Sequence, residues 1–430
     1  MQIKDKMTPI RTVLSNKAFL RLWLEQVTSQ LSINMLVFSL ALVMYQNTSS
    51  NAAVSGLFLA YGFPALFFGM MAGAVVDRLD RRIVLIVSNL LRALMVMILL
   101  LGSRHIGVVY LIVFINAVIT QFTAPAEGPT IPQLVPKSQL ISANSLFSFT
   151  FYSSTALGFI TAGPLLRVFG PDGSLLVISI LFLLAAFFVS GIPPQGEGIS
   201  TFRKIFRYNI FYIVQRVLTD LAQGVRYVVN SPVLLDALLL LTGTQITMMI
   251  LGTLGPGFAD KILQIDVRDA SMLVVGPAIF GVLLGALWMG NFGYKYKPNV
   301  LITIGILTAG ADLMLVSALV STTNVFWFTS IPRVIVLIVS FLLFFILGAA
   351  NSLLDVPANS TLQKEADGEL RGRVYGILSA VVGGIGILPV VIGGILADVI
   401  GVGKVIFALG LIIGLFGIHR LRYVPLNRVQ

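Results

Sequence analysis

The sequence has no cysteine and only two histidines, His105 and His419, in 430 residues. Disulfides, thiolate metal sites and a cysteine nucleophile are therefore excluded, and two distant histidines cannot build a metal cluster. Charge is scarce as well. Asp, Glu, Lys and Arg make up 11% of the chain, against roughly 25% in soluble domains. With 57% apolar residues, too little polar surface remains to coat a water-soluble fold of this length. There is no phosphate-cradling Gly-Lys motif and no His–carboxylate metal spacing, so neither an enzyme nor a nucleotide-driven pump is expected, and no metal or cofactor. A cleaved signal peptide is not expected either: the first apolar segment is too long, lacks a small-residue cleavage site and is followed by many others.

What is present is a succession of long uncharged runs. Ala53–Val76 contains no Asp, Glu, Lys or Arg. A helix of that length, at about 1.5 Å per residue, runs roughly 36 Å and crosses a bilayer. Reading the whole chain this way gives twelve spans, near 20–45, 53–76, 83–102, 106–127, 140–166, 173–192, 234–257, 270–293, 299–320, 331–355, 373–397 and 404–419. An even number places both termini on one side. Of the 29 Lys and Arg, 22 fall in the loops and termini of that side. Only Arg104, Arg167, Lys261, Arg268, Arg333 and Lys404 fall on the other, and Arg92 lies inside a span. The positive-inside rule assigns the basic side, with both termini, to the cytoplasm. The net charge of +11 is thus a topology signal. Its scatter over seven segments argues against a nucleic-acid partner.

The chain reads as built twice: a six-helix bundle over 1–192, a cytoplasmic linker over 193–233 and a second six-helix bundle over 234–430. FTAPA at Phe122–Ala126 is echoed by LDVPA at Leu354–Ala358, and AGPLL at Ala162–Leu166 by ILPVVIGG at Ile387–Gly394. The charged loop GAVVDRLDRR, Gly73–Arg82, has a copy in GNFGYKYKP from Gly290, which keeps basic residues but puts Tyr294 in the place of Asp77. In the linker, Leu218, Leu221, Val225, Val228 and Val229 form a helical stripe. It reads as an amphipathic helix on the membrane surface, ended by Asn230-Ser231-Pro232.

Several spans carry polar stripes. Span one has Glu25, Gln26, Gln30 and Asn34, flanked by Ser29 and Ser32. Span four has Asn116, Thr120, Thr123 and Glu127 on one face; span seven has Gln245; span ten has Asn351, Ser352 and Asp355. Such stripes face a water-filled cavity or another helix rather than lipid. Helix–helix hydrogen bonding, about 0.6 kcal/mol per contact on average, is the plainer reading for single Ser and Thr residues. The runs in spans one and four favour a substrate cavity. Glu25, Glu127, Asp236 and Asp355 each fall at the expected cytoplasmic end of spans one, four, seven and ten. A first-turn dipole accounts for Glu25 and Asp236 but not for Glu127 and Asp355, which are placed at helix C-termini. Together they read as a ring of carboxylates around a cavity mouth that attracts cations, or as partners of gate arginines. Arg92 and Asp312 lie within spans three and nine, where a charge costs at least ~2.5 kcal/mol. Arg92 is expected to snorkel to the cytoplasmic headgroups, and Asp312 is a candidate for protonation.

The loop from Gly73, with Asp77, Arg78, Arg81 and Arg82, resembles the signature loop of the major facilitator superfamily, although Asp80 stands where many members have glycine. NKAFLRLWLEQVTSQLS at Asn16–Ser32, APAEGPTIPQLVPKSQLISANSL at Ala124–Leu146, DLAQGVRYVVNSPVLL at Asp220–Leu235 and ELRGRVYG at Glu369–Gly376 resemble one branch of it. That branch contains bacterial drug, macrolide and siderophore exporters, with lysophospholipid transporters as near cousins. The resemblance implies an all-α membrane protein of twelve transmembrane helices in two six-helix bundles (the major facilitator fold), working by alternating access. It also implies a cavity lined by spans one, four, seven and ten, and a gate in which Asp77 meets the start of span eleven beside Arg371 and Arg373. The chain departs from its relatives at Ser32-Ile33, where many carry Gly-Asp, and at Glu127, where a basic residue is usual. Span five, with Gly158, Gly163 and Pro164, only partly resembles the antiporter motif, because Leu165, Leu166 and Arg167 replace its trailing glycines. The expected function is secondary export of small amphipathic compounds, cations among them, by a monomer in the bacterial cytoplasmic membrane. Its partners are a small-molecule or lipid substrate and membrane lipids, with coupling to the proton gradient in place of a cofactor. A lysophospholipid flippase-like transporter is the alternative reading, and a non-transporting receptor or scaffold the third.

Overall fold

A computed structural model describes residues 9–76, 79–102, 105–194, 225–323, 332–365, 374, 377–378, 381–382 and 386–423. Every regular element among the described residues is helical. Hydrocarbon supplies no partner to a backbone N–H or C=O, so a spanning segment must satisfy them within itself, and a helix does so. In chain order the elements are α1 (Pro9–Leu14), α2 (Lys17–Thr48), α3 (Asn51–Val76), α4 (Arg81–Gly102), α5 (Ile106–Thr120), α6 (Thr123–Leu134) and α7 (Leu140–Ser190). The second half holds α8 (Pro232–Phe258), α9 (Gly276–Phe292), α10 (Pro298–Thr323), α11 (Arg333–Glu365), α12 (Ile387–Ile400) and α13 (Val402–Tyr423).

Among the described residues ten helices are long and apolar enough to cross a membrane, and α12 is a shorter apolar helix. The count differs from twelve largely because α7 runs through the two expected spans 140–166 and 173–192 as one element. Gly170, at φ +68° and ψ 179°, breaks the helix there and is followed by Pro171. Glycine adopts that left-handed backbone without a Cβ penalty, so one residue does the work expected of a loop. Two further boundaries move. Span four continues past Glu127 as α6, and span ten continues past Asp355 to Glu365. Of the linker stripe, Leu218 and Leu221 lie outside the described residues. From 225 to 229 the chain is helical with Val228 buried, while Val225 and Val229 are exposed. Ser231 caps α8, its Oγ accepting from the N–H of Leu234, and Pro232 takes the first helical position.

The chain divides into two compact units, Met1–Leu40 with Ala60–Leu218, and Ala41–Leu59 with Thr219–Gln430. The turn between α2 and α3 therefore belongs to the second unit, and Asp398 of α12 is the reason. One carboxylate oxygen accepts from the N–H and side-chain amide of Asn51, at 2.8 and 2.9 Å. The other accepts from the Ser50 hydroxyl at 2.6 Å and the Ala52 N–H at 3.0 Å. A negative charge thus sits on the otherwise unpaired N–H groups that begin α3, at the positive end of its dipole. Nearby, the Tyr45 hydroxyl donates to Asp260 at 3.3 Å.

Helix contacts in the second unit rest on glycine. A methyl on Gly281 of α9 would overlap the carbonyl oxygen of Phe345, and one on Gly348 of α11 would overlap that of Ala278. Gly310 of α10 faces Gly414 of α13, whose N a Cβ would meet at 2.6 Å. In lipid such small-residue crossings let backbones approach and gain dispersion contact. Gly281→Val and Gly348→Val are each expected to abolish the monodisperse peak in detergent size-exclusion chromatography. Gly290→Ala, whose added methyl meets nothing within 4 Å, is expected to leave it intact.

A buried charge cluster as candidate functional site

In the first unit, α2 and α4 bring four polar side chains into hydrogen-bonded contact inside the membrane-spanning region. Glu25 lies eight residues into α2, about 12 Å beyond its start, and is fully buried. The first-turn dipole expected to account for it does not reach that far. Its Oε1 accepts from the Asn89 amide at 2.8 Å. Asn89 Oδ1 in turn accepts from Arg92 Nη2 at 2.8 Å, and the same nitrogen donates to Ser29 Oγ at 3.0 Å. The spacing of three between Asn89 and Arg92 places both on one face of α4. Arg92 does not snorkel as expected. It is 1% exposed, held by these acceptors and by the ring of Phe182, whose centroid lies 4.9 Å from the guanidinium carbon. A fixed internal partner removes the reason for the side chain to reach headgroups.

Glu127 of α6 acts electrostatically on both Glu25 and Arg92, and Tyr61 of α3 acts on Arg92. The cluster therefore holds two carboxylates and one guanidinium. Glu25 Oε2 and Arg92 Nε have no hydrogen-bond partner among the described residues. One acid can be balanced by Arg92; two ionised acids leave an excess negative charge in a low-dielectric site.

The rest of the span-one and span-four stripes is less uniform. Gln26 donates to the Phe147 carbonyl at 3.3 Å, and Asn34 to the Gln30 carbonyl and to Thr155 Oγ1. Gln30 is half-buried. Asn116, Thr120 and Thr123 bond back to carbonyls of their own stretch, the helix-internal pattern rather than a cavity lining. In the signature loop, Gly73 is part of α3, whereas Asp77, Arg78, Arg371 and Arg373, and the gate expected of them, lie outside the described residues. Arg82 donates to the Ser190 carbonyl, and Arg81 to that of Pro129. Asp80, taken from sequence only as a departure, accepts from the Arg82 N–H at 2.9 Å and so caps α4.

The second unit carries its charges differently. Of the two readings of Asp236, cavity carboxylate or arginine partner, the second holds. Arg420 of α13 grips it with two parallel bonds of 2.7 Å, the strong bidentate arrangement. Neither Glu127 nor Asp355 ends a helix, so the dipole argument that singled them out does not apply. Asp355 is half-buried, and Gln245 is exposed. Asp312 is buried in α10, its Oδ2 without a partner among the described residues. A cavity of about 300 Å³ lies among α8, α10, α11 and α13, lined by Leu240, Thr244, Thr247, Ile306, Asn351 and Phe416 among others. Sequence reasoning gave Asn351 a cavity position but missed the contribution of α10 and α13, whose lining residues are ordinary apolar ones. No group of three or more His, Asp or Glu able to hold a metal occurs among the described residues.

The family model of the Major Facilitator Superfamily matches residues 22–389. The chain belongs to that superfamily. It is 25% identical over 389 residues to the multidrug efflux pump Tap of Mycolicibacterium fortuitum, covering 87% of this chain and 88% of Tap. It is 23% identical over 394 residues to macrolide efflux protein A of Streptococcus pyogenes, covering 89% and 90%. The structure of nucleoside transporter NupG superposes with a TM-score of 0.71 at 13% identity, over 95% of this chain and 100% of NupG. This facilitator is thus a multi-pass membrane transporter with efflux pumps among its relatives.

The charge pairing can be tested by stability in detergent. Arg92→Gln strands Glu25 and Glu127 and is expected to cost about 3–5 kcal/mol. Glu25→Gln keeps the shape and an acceptor oxygen and should cost about 1 kcal/mol. The double variant should be more stable than Arg92→Gln alone. Simple additivity of the two losses in denaturant unfolding would show that the groups do not interact.

Proposed function

We propose that this facilitator is a proton-coupled exporter of amphipathic cations, working by alternating access in the bacterial cytoplasmic membrane as a monomer. The observation that carries the reading is the two-acid, one-base cluster of Glu25, Glu127 and Arg92. A site with one carboxylate in excess of its guanidinium binds one extra positive charge. A proton and a cationic substrate can each supply that charge, and competition between them couples the two fluxes. Glu25, fixed by Asn89, is the permanent partner of Arg92, and Glu127 is the exchanging acid. Separately, the second unit holds an apolar cavity with Asn351, Thr244 and Thr247 as its polar groups, of the kind that takes amphipathic compounds. Relatives named for multidrug and macrolide efflux support the direction and the substrate class. We read twelve spans, counting α7 as two across Gly170 and the shorter α12 as one. Both termini are assigned to the cytoplasm because 22 of 29 basic residues lie on that side.

In proteoliposomes with an imposed pH gradient, Glu127→Gln is expected to lower gradient-driven movement of a cationic amphiphile about tenfold. Exchange of the same compound without a gradient should fall as well, because the cation loses the same counter-charge. Binding of a neutral analogue of equal shape should be unaffected. Gradient-driven transport at the native rate, or equal losses for charged and neutral ligands, would overturn the coupling role.

A further inference from the structure

The loop after α9 is the second-half copy of the Gly73–Arg82 loop, and it carries aromatic side chains and lysines. Trp288 stacks on Tyr296 with centroids 5.8 Å apart and lies 6.1 Å from Phe292, one turn on. The Lys295 ammonium stands 5.2 Å from the Phe292 centroid and 5.9 Å from that of Tyr294. These rings are well exposed, Tyr294 most of all. An aromatic belt alone anchors many helices at the membrane–water boundary and selects no particular lipid. Two observations go beyond a belt. The Lys297 Nζ is shielded from solvent yet has no acceptor among the described residues, so the residue following Tyr296 carries a desolvated cation without a counter-charge. On the other side of Trp288, a groove of about 310 Å³ runs between α9 and α11, lined by Leu284, Gly285, Trp288, Phe345, Ala349 and Leu353.

The groove, the indole and the lysines follow one another along α9 from its apolar middle to its charged end. That is the order of parts in a phospholipid. We propose that this surface binds one anionic phospholipid, with an acyl chain in the α9–α11 groove and the phosphate held by Lys295 and Lys297. The phosphate oxygens supply the acceptors that Lys297 lacks. Trp288 and Tyr296 pack at the glycerol level, where amphipathic rings are most stable. Zwitterionic lipid fills the groove equally well but returns less to the lysines, so the preference is set at the headgroup. The site is built within the second unit and is independent of which compound the transporter moves.

The test uses the full chain with Trp23→Phe and Trp327→Phe, which leaves Trp288 as the one tryptophan. Reconstituted into phosphatidylcholine vesicles, its fluorescence is quenched by traces of brominated phosphatidylglycerol or of brominated phosphatidylcholine. Each lysine near an anionic headgroup contributes about fivefold. The association constant for the brominated anionic lipid is therefore expected to exceed that for brominated phosphatidylcholine about five- to twentyfold. Lys295→Gln with Lys297→Gln should bring the ratio near one without changing quenching by brominated phosphatidylcholine. Lys295→Arg with Lys297→Arg should keep it. Equal quenching by the two lipids in the native background, or a preference that survives the glutamine changes, overturns the proposal. Relief of quenching by millimolar inorganic phosphate would assign the lysines to a free anion and overturn it as well.

Discussion

Hydrocarbon offers no hydrogen-bond partner to a stray polar group, and the arrangement of this chain follows from that one constraint. It makes every described element helical. It also favours pairing of charges within the spans inside the protein, although Asp312 keeps one carboxylate oxygen without a partner among the described residues. In the first unit the outcome is Glu25, Asn89, Arg92 and Ser29, linked by bonds of 2.8–3.0 Å. In the second unit it is the bidentate grip of Arg420 on Asp236. What distinguishes the two is balance. The Asp236 pair closes on itself, one charge against one. The Glu25 and Arg92 set has a second acid, Glu127, acting on it, and an imbalance of this kind is costly unless it is used.

The halves also differ in what they leave open. The second unit has an apolar cavity whose polar contributions come mainly from Asn351 and two threonines. Its helices meet at glycines, with Gly281 and Gly348 against the facing backbone and Gly310 against Gly414. Close crossings of this type make a stiff frame. The first unit concentrates its polar atoms on α2 and α4 and breaks its longest helix at Gly170. One compact unit thus carries the two-acid, one-base cluster and the other carries the apolar cavity.

The all-helical, many-span character was legible because hydropathy acts locally and can be counted. Pairings were not. Asn89 lies 64 residues from Glu25, and Arg420 lies 184 from Asp236, so no local pattern links them. This is why Arg92 read as a snorkelling side chain, and why Asp236 read either as a cavity carboxylate or as the partner of an arginine that could not be named. Glu127 and Asp355 were misplaced for a related reason. An acid was taken to mark the end of an apolar run, whereas α6 and α11 carry those acids within their helices. Asp80 is the opposite case. Its position just before the first residue of α4 is a capping signal, overlaid here by the loop's likeness to the family pattern.

The Asp398 cap on α3 has a consequence in time. The backbone N–H groups at Asn51 and Ala52 take their carboxylate from a residue 347 positions later in the chain. At about 5–20 residues per second of synthesis, roughly 20–70 s separate the two. Throughout that interval the α2–α3 turn has its dipole end uncapped and its final neighbours unmade. The ribosome finishes nearly the whole protein before one of its first turns can settle. A chaperone or insertase that shields the turn between α2 and α3 therefore matters most at the beginning of synthesis, and a truncated chain ending before α12 never completes it.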